Sequence, residues 1–115
     1  MNIKAGCDIV KISRVKKLTE SALKKIFHRS ELKDYRHEHL AGIFAVKEAV
    51  FKALDLKVNS FLDVEIKYQT SGRPFLILSP ELKNKISSID CSVSHDGDYA
   101  IAVVVAILKK NSPPC

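Results

Sequence analysis

The sequence has no closely paired cysteines, no long apolar run and few aromatic side chains, and each shortage removes a class of protein. Cys7, Cys91 and Cys115 are an odd set without a short spacing, so neither a disulfide framework nor a thiolate zinc site is written into the chain. The opening Met1-Asn2-Ile3-Lys4 carries no secretory-type apolar stretch, and a reduced, cytoplasmic setting is expected. Residues 99–108 form the longest apolar run, too short for a spanning helix and read instead as a buried strand. No membrane association is expected. Aromatic residues make up 7% and do not cluster, which leaves no stacking platform for single-stranded nucleic acid. HExxH, P-loop and Rossmann glycine patterns are absent too, and with them the motif support for zinc, nucleoside-triphosphatase and dinucleotide chemistry.

What is present has the balance of one globular domain: 115 residues, 46% hydrophobic and 28% charged. A single domain over 1–115 is expected, with 109–115 as a disordered tail. A core of this size leaves roughly a third of the unfolded chain's surface in water, so self-association would help to bury apolar area. The net charge of +6, with lysines spread over the first half and the last positions, favours anionic partners. A polyphosphate substrate, an acidic protein, nucleic acid and an anionic membrane all fit that field. A basic nucleic-acid-binding module is therefore the rival to an enzyme.

The periodicities predict a strand over 3–12, an amphipathic basic helix over 13–28 and a short helix capped by Ser30 and Glu31, with Thr19 or Ser21 as alternative helix starts. Residues 40–54 are apolar almost all round, the pattern of a buried helix. Strict alternation over 61–69, turn chemistry at 70–74 and an apolar stretch at 75–78 predict a hairpin. A short helix over 80–89 precedes a second hairpin, 91–94 and 99–108, turning at 95–98. The fold class expected is α+β, a largely antiparallel sheet packed around a central buried helix.

Two acids break these patterns. Glu48 sits on the buried helix, where a carboxylate is costly unless it is paired or holds a metal; an i, i+4 pair with Lys52 is the simpler account. Asp8 interrupts an apolar strand, where it could also cap the following turn. Should the two converge, they offer hard oxygen ligands to Mg²⁺, which takes one or two carboxylates and completes its shell with water and phosphate oxygens. Lys52 could then neutralise a transferring phosphoryl group. Ser92-Val93-Ser94-His95-Asp96 contains triad residue types too close together to point at one another; the hydroxyls and His95 either contact phosphate oxygens or satisfy the turn. Gly72-Arg73-Pro74 is a hairpin turn first, and a ligand contact only beside a cleft.

Ala5-Gly6-Cys7-Asp8-Ile9-Val10 with Ser13-Arg14, Phe44-Ala45-Val46-Lys47-Glu48-Ala49-Val50-Phe51-Lys52-Ala53-Leu54, Gly72-Arg73-Pro74, and Ser92-Val93-Ser94-His95-Asp96 with Tyr99-Ala100-Ile101-Ala102 together resemble the holo-acyl-carrier-protein synthase family of phosphopantetheinyl transferases. The resemblance implies a phosphopantetheinyl-transferase-like fold and Mg²⁺ held by Asp8 and Glu48. It implies coenzyme A as co-substrate, Lys52 as a catalytic contact to the transferring phosphate, and a serine of an acidic acyl carrier protein as acceptor. Gly72, Arg73, Pro74, Ser94 and His95 would hold coenzyme A, and Arg14 with the basic first helix would dock the carrier protein. It also implies a homotrimer with a site at each subunit boundary, and a place in fatty acid biosynthesis. Two departures stand out. Ile43 occupies a position where the family often has arginine, which leaves one phosphate contact absent or supplied by another residue such as Arg36 or Lys47. Asp55 stands where a glycine is usual.

Overall fold

A computed structural model describes residues 1–56 and 60–110. The predicted disorder of 111–115 lies outside the described residues, while Lys109 and Lys110 belong to them. Strand β1 (Asn2–Lys11) is followed by α1 (Ile12–Lys16), α2 (Glu20–Ile26), α3 (Arg29–Leu32) and the long α4 (His37–Ala53). A 3₁₀ turn at Phe61–Asp63 leads into β2 (Val64–Tyr68) and β3 (Pro74–Leu78); α5 (Pro80–Lys83), β4 (Ile86–Asp96) and β5 (Tyr99–Leu108) complete the order. Both sheets are antiparallel, one in the order β1-β5-β4 and one the hairpin β2-β3. The expected α+β arrangement around a central helix is the one observed.

Three boundaries differ from the sequence reading, each for a local reason. The predicted helix over 13–28 is two helices, because Thr19 adopts an extended backbone and its hydroxyl accepts from the Ala22 amide, 3.1 Å away, starting α2 afresh. The Ser30 hydroxyl does not cap α3; it donates to Glu65, and the Glu31 carboxylate reaches back to the His28 amide instead, at 2.7 Å. The helix expected over 80–89 stops at Lys83, and β4 takes the chain from Ile86 through Asp96. β5 offers ten residues of pairing, and its register carries β4 from Asp96 opposite Tyr99 back to Ile86 opposite Leu108. Sheet pairing overrides local helix preference there.

The core lies between α4 and the inner face of the three-stranded sheet. Leu40, Ile43, Phe44, Val46, Val50 and Phe51 of α4 are buried, as are Val10, Ala100, Ala102, Val104 and Ala106 of the strands. Small residues on β5 let the helix sit close to the sheet. Gly6 on β1 makes the closest approach: a Cβ there would run into the Ala49 carbonyl oxygen and lie 2.8 Å from the Ala53 amide nitrogen. On the other side of α4, Phe61 packs on Phe44 and Phe51, with ring centroids 5.5 Å apart in both pairs.

Strand β5 is apolar on both faces, but only one face is covered. Ile101, Val103 and Val105 remain 41%, 42% and 44% exposed, and Ile9 on β1 is 59% exposed, so the buried strand expected over 99–108 is half open in the single chain. Asp55 closes α4 with φ +53°, a left-handed conformation that favours glycine at the end of a helix. The departure noted at Asp55 is thus one of residue type, in a backbone conformation that suits the usual glycine.

Candidate active site

The twist of β1 across α4 brings three charged side chains together. Neighbouring residues on a strand face opposite ways, so Gly6, Asp8 and Val10 turn toward α4 while Cys7 and Ile9 turn outward. The Lys52 ammonium donates to Asp8 Oδ1 at 2.9 Å and to the Cys7 carbonyl oxygen at 3.1 Å. Glu48 stands one helical turn before Lys52. Burial pushes the Glu48 carboxyl pKa up, the charge of Asp8 pushes it further, and Arg14 and Lys52 pull it back. The bond to Asp8 raises the Lys52 pKa, keeping it a cation. The ammonium of Lys52 is thus bonded across to the strand at Asp8, and Glu48 feels its charge from one turn away on the helix.

Arg14 completes this edge. Its guanidinium lies 5.0 Å above the Phe44 ring and its charge acts on Glu48, a nearness to the acid pair that the sequence does not reveal. Two carboxylates with hard oxygens, half-buried and raising one another's energy, make a donor set suited to a small divalent cation. Among the described residues no cluster of three His, Cys, Asp or Glu side chains forms a complete cage. A cation here would need water or substrate oxygens as well, which is the habit of Mg²⁺.

His95 lies at the other end of α4. Its Nε2 is 2.9 Å from the Glu38 carbonyl oxygen, and it packs against Gly42, where a Cβ would sit 3.2 Å from that nitrogen. It borders a cavity of about 710 Å³ lined also by Lys11, Ser13, Lys16 and His37. Lys11, Lys16 and His37 went unnoticed as site residues in the sequence because nothing local marks them; the start of α4 and the β4–β5 turn meet them only in the fold. Ser94 follows the opposite alternation and faces the exposed side of the sheet, paired with Ile101. One chain does not bring Ser94 and His95 to the same ligand.

The hairpin turn is set apart as well. Gly72 has φ +90°, and Arg73 is bonded to Asp90 at 2.6 Å, beside a cavity of about 400 Å³ over Val103 and Val105. Val103 and Val105 belong to the exposed face of β5, whereas Asp8 turns toward α4 on the other face of the sheet. Pro74 begins β3. Gly72, Arg73 and Pro74 thus do not join Asp8 and Glu48 within a single chain.

Lys47 requires a correction. Expected as a coenzyme A contact, it is 0% exposed, with its ammonium donating to the Ile26 carbonyl at 2.6 Å and to Glu31 Oε1 at 2.8 Å. Neighbours on a helix point about 100° apart, so a Glu48 turned to the site carries Lys47 into the interior. Arg36, the other stand-in for the Ile43 position, has its guanidinium on Asp34, at 2.9 and 2.6 Å, and this bond draws the Asp34 pKa down to about 2.

Comparison with known proteins bears on this arrangement. The family model for "ACPS: 4'-phosphopantetheinyl transferase superfamily" matches residues 4–104. A holo-[acyl-carrier-protein] synthase of Nautilia profundicola is 41% identical over 110 residues, 89% of this chain and 97% of the relative. The crystal structure of the Helicobacter pylori holo-[acyl-carrier-protein] synthase in complex with coenzyme A superposes with a TM-score of 0.81 at 38% identity, covering 90% of this chain and 99% of that one. A Chronobacterium ammoniagenes ACPS–CoA complex does so with a TM-score of 0.79 at 27% identity, over 96% of this chain and 100% of that one.

Proposed function

The chain belongs to the 4'-phosphopantetheinyl transferase superfamily, as a phosphopantetheinyl transferase of the holo-[acyl-carrier-protein] synthase kind, and from that premise we propose that it moves phosphopantetheine from coenzyme A to a serine of an acidic acyl carrier protein, with Mg²⁺ held by Asp8 and Glu48. The observation that carries this reading is the meeting of Asp8, Glu48 and Lys52 on two facing elements. Bound there, Mg²⁺ would supply charge neutralisation along the pyrophosphate of coenzyme A. Lys52, freed from Asp8, would contact the transferring phosphate. The carrier serine oxygen gives up its proton to water and forms a bond to the phosphorus nearer pantetheine, the bridging P–O bond on that phosphorus breaks, and adenosine 3',5'-bisphosphate leaves with the bridging oxygen. The +6 charge and the basic α1–α2 segment suit an acidic partner, and a role in fatty acid biosynthesis within the cytoplasm belongs to the same proposal. Among the described residues no helix is long and apolar enough to cross a membrane.

The test is direct. Purified chain with coenzyme A and Mg²⁺ is expected to add the phosphopantetheine mass to an apo acyl carrier protein, read by intact-protein mass spectrometry, and EDTA is expected to stop it. No mass shift on any apo carrier protein tried would end the assignment.

The proposal includes a homotrimer whose sites lie between copies and extends to the described residues as one transferase domain. Two features support a shared site: the open apolar face of Ile9, Ile101, Val103 and Val105, and the separation of Ser94 and the Gly72-Arg73-Pro74 turn from the carboxylates. In light scattering the parent is expected at three times the 12.8 kDa chain mass. Val103→Glu places an unpaired charge in the middle of that face and is expected to give a monomer with transfer activity reduced at least about tenfold. A parent that runs as a monomer would remove the trimer from the proposal.

A further inference from the structure

The polar network around Glu31 has no role in the transfer chemistry. Glu31 and Lys47 are paired at 2.8 Å with both side chains 0% exposed. Glu31 Oε1 accepts from the Lys47 ammonium and from the His28 amide at 2.7 Å; Oε2 accepts from the Ile66 amide at 2.8 Å. Burial lowers the Lys47 pKa against the pull of Glu31, and its remaining bond goes to the Ile26 carbonyl, with the Phe27 ring 5.6 Å away. One carboxylate thus ties together the α2–α3 bend, the middle of α4 and the edge of β2.

The last tie is the informative one. Among the described residues β2 pairs with β3 alone, and a two-stranded hairpin is marginal by itself. Ile66 lies at the centre of β2, so the bond from its amide holds the strand edge that β3 does not use. Around it, Ser30 bonds Glu65, and His28 Nε2 is 2.8 Å from the Leu62 carbonyl. Tyr68, next to the turn, packs on His39 of α4 with ring centroids 5.2 Å apart. The hairpin ends in Gly72-Arg73-Pro74. A buried charge pair holds stability less well than an apolar substitute would, whereas its directional bonds fix the strand and the helix rotation at once.

We propose that Glu31 and Lys47 are a positioning pair: they lock the β2–β3 hairpin to α4, fixing the coenzyme-facing Gly72-Arg73-Pro74 turn on the body of its own chain, from which it would reach a site shared with a neighbouring copy. The coenzyme part of this inference rests on the function proposed above. The double variant E31Q/K47M removes both charges while keeping side-chain volume, and E31Q alone keeps the shape and an acceptor oxygen should the double variant fail to fold. Two readouts apply to either variant.

Hydrogen exchange followed by mass spectrometry is expected to show amides of 64–78 exchanging about tenfold faster than in the parent, with 99–108 unchanged. Steady-state transfer is expected to show KM for coenzyme A raised about tenfold, the range for residues that support a site from behind, with kcat within about twofold. Unchanged exchange, or faster exchange across all strands alike, overturns the inference. So does a loosened hairpin with an unchanged KM, which would make the pair purely structural. The parent's own affinity for coenzyme A with Mg²⁺, measured by calorimetry, separates the two claims: a parent that does not bind overturns the functional reading and this inference with it, while a binding parent with an unaffected variant overturns the inference alone.

Discussion

Glu48→Gln is expected to lower phosphopantetheine transfer by more than about 100-fold, the upper end of the loss expected for a residue merely supporting a metal site, while leaving the melting temperature equal to or above the parent's. The two halves of that result have one cause. Glu48 is partly buried beside Asp8, and both burial and the neighbouring charge disfavour its ionised form. Glutamine keeps the volume and removes the charge, so the folded protein is relieved of a strain that the proposed Mg²⁺ site would use. Asp8→Asn is expected to lose activity to a similar degree with little change in stability, since asparagine keeps the side-chain volume and an oxygen that can accept from Lys52, whose own side chain is 56% exposed. The double variant is expected to be hardly worse than either single one, because residues acting on one ion fail together.

The direction of the pH effect follows. Protonation of Glu48 competes with metal binding, so activity is expected to fall as pH drops through its raised pKa. Added Mg²⁺ is expected to move that fall to lower pH. Transfer retained in Glu48→Gln to within a few fold would remove the carboxylate pair from the mechanism, and an acid limb indifferent to Mg²⁺ would do the same for the ion.

How much of this could be read from the chain depends on whether the signal was local. α4 was legible because an apolar residue at nearly every position of 40–54 leaves only one kind of environment for a helix, and β2 because its alternation is strict. Asp8 and Glu48 were legible as breaks in those patterns. Lys47 was misread for the same reason that Glu48 stood out: both are charges on a buried helix, and the sequence gives no indication of which meets a carboxylate already in the interior. That partner, Glu31, looked like an ordinary helix-start residue, 16 positions away. The beginning of β4 was masked by the helix-like segment after Pro80, since the ladder that overrides it is supplied by β5, later in the chain. His37, Lys11 and Lys16 reach one cavity only through the packing of α4 against the β1 and β4–β5 ends, which no periodicity records.

Gly6 links the fold to the site, and Gly6→Ala is expected to destabilise the protein by at least about 3 kcal/mol, beyond the usual range for one surplus methyl group in a packed core. The added Cβ would meet the Ala49 carbonyl oxygen and the Ala53 amide nitrogen at 2.8 Å, both helix backbone. No rotamer change can absorb that overlap, unlike a clash with a flexible side chain. β1 and α4 would have to separate along the line where Ala49 and Ala53 alternate with Glu48 and Lys52. A shift of even half an ångström forfeits a sizeable part of each packed contact, and it moves Asp8 away from Glu48 and Lys52. Thermal unfolding is expected to show a drop of roughly 10 °C or more. In whatever fraction stays folded, the Mg²⁺ concentration for half-maximal activity is expected to rise. If Gly6→Ala unfolds at the parent's temperature, the close contact between β1 and α4 is not what holds the two carboxylates together.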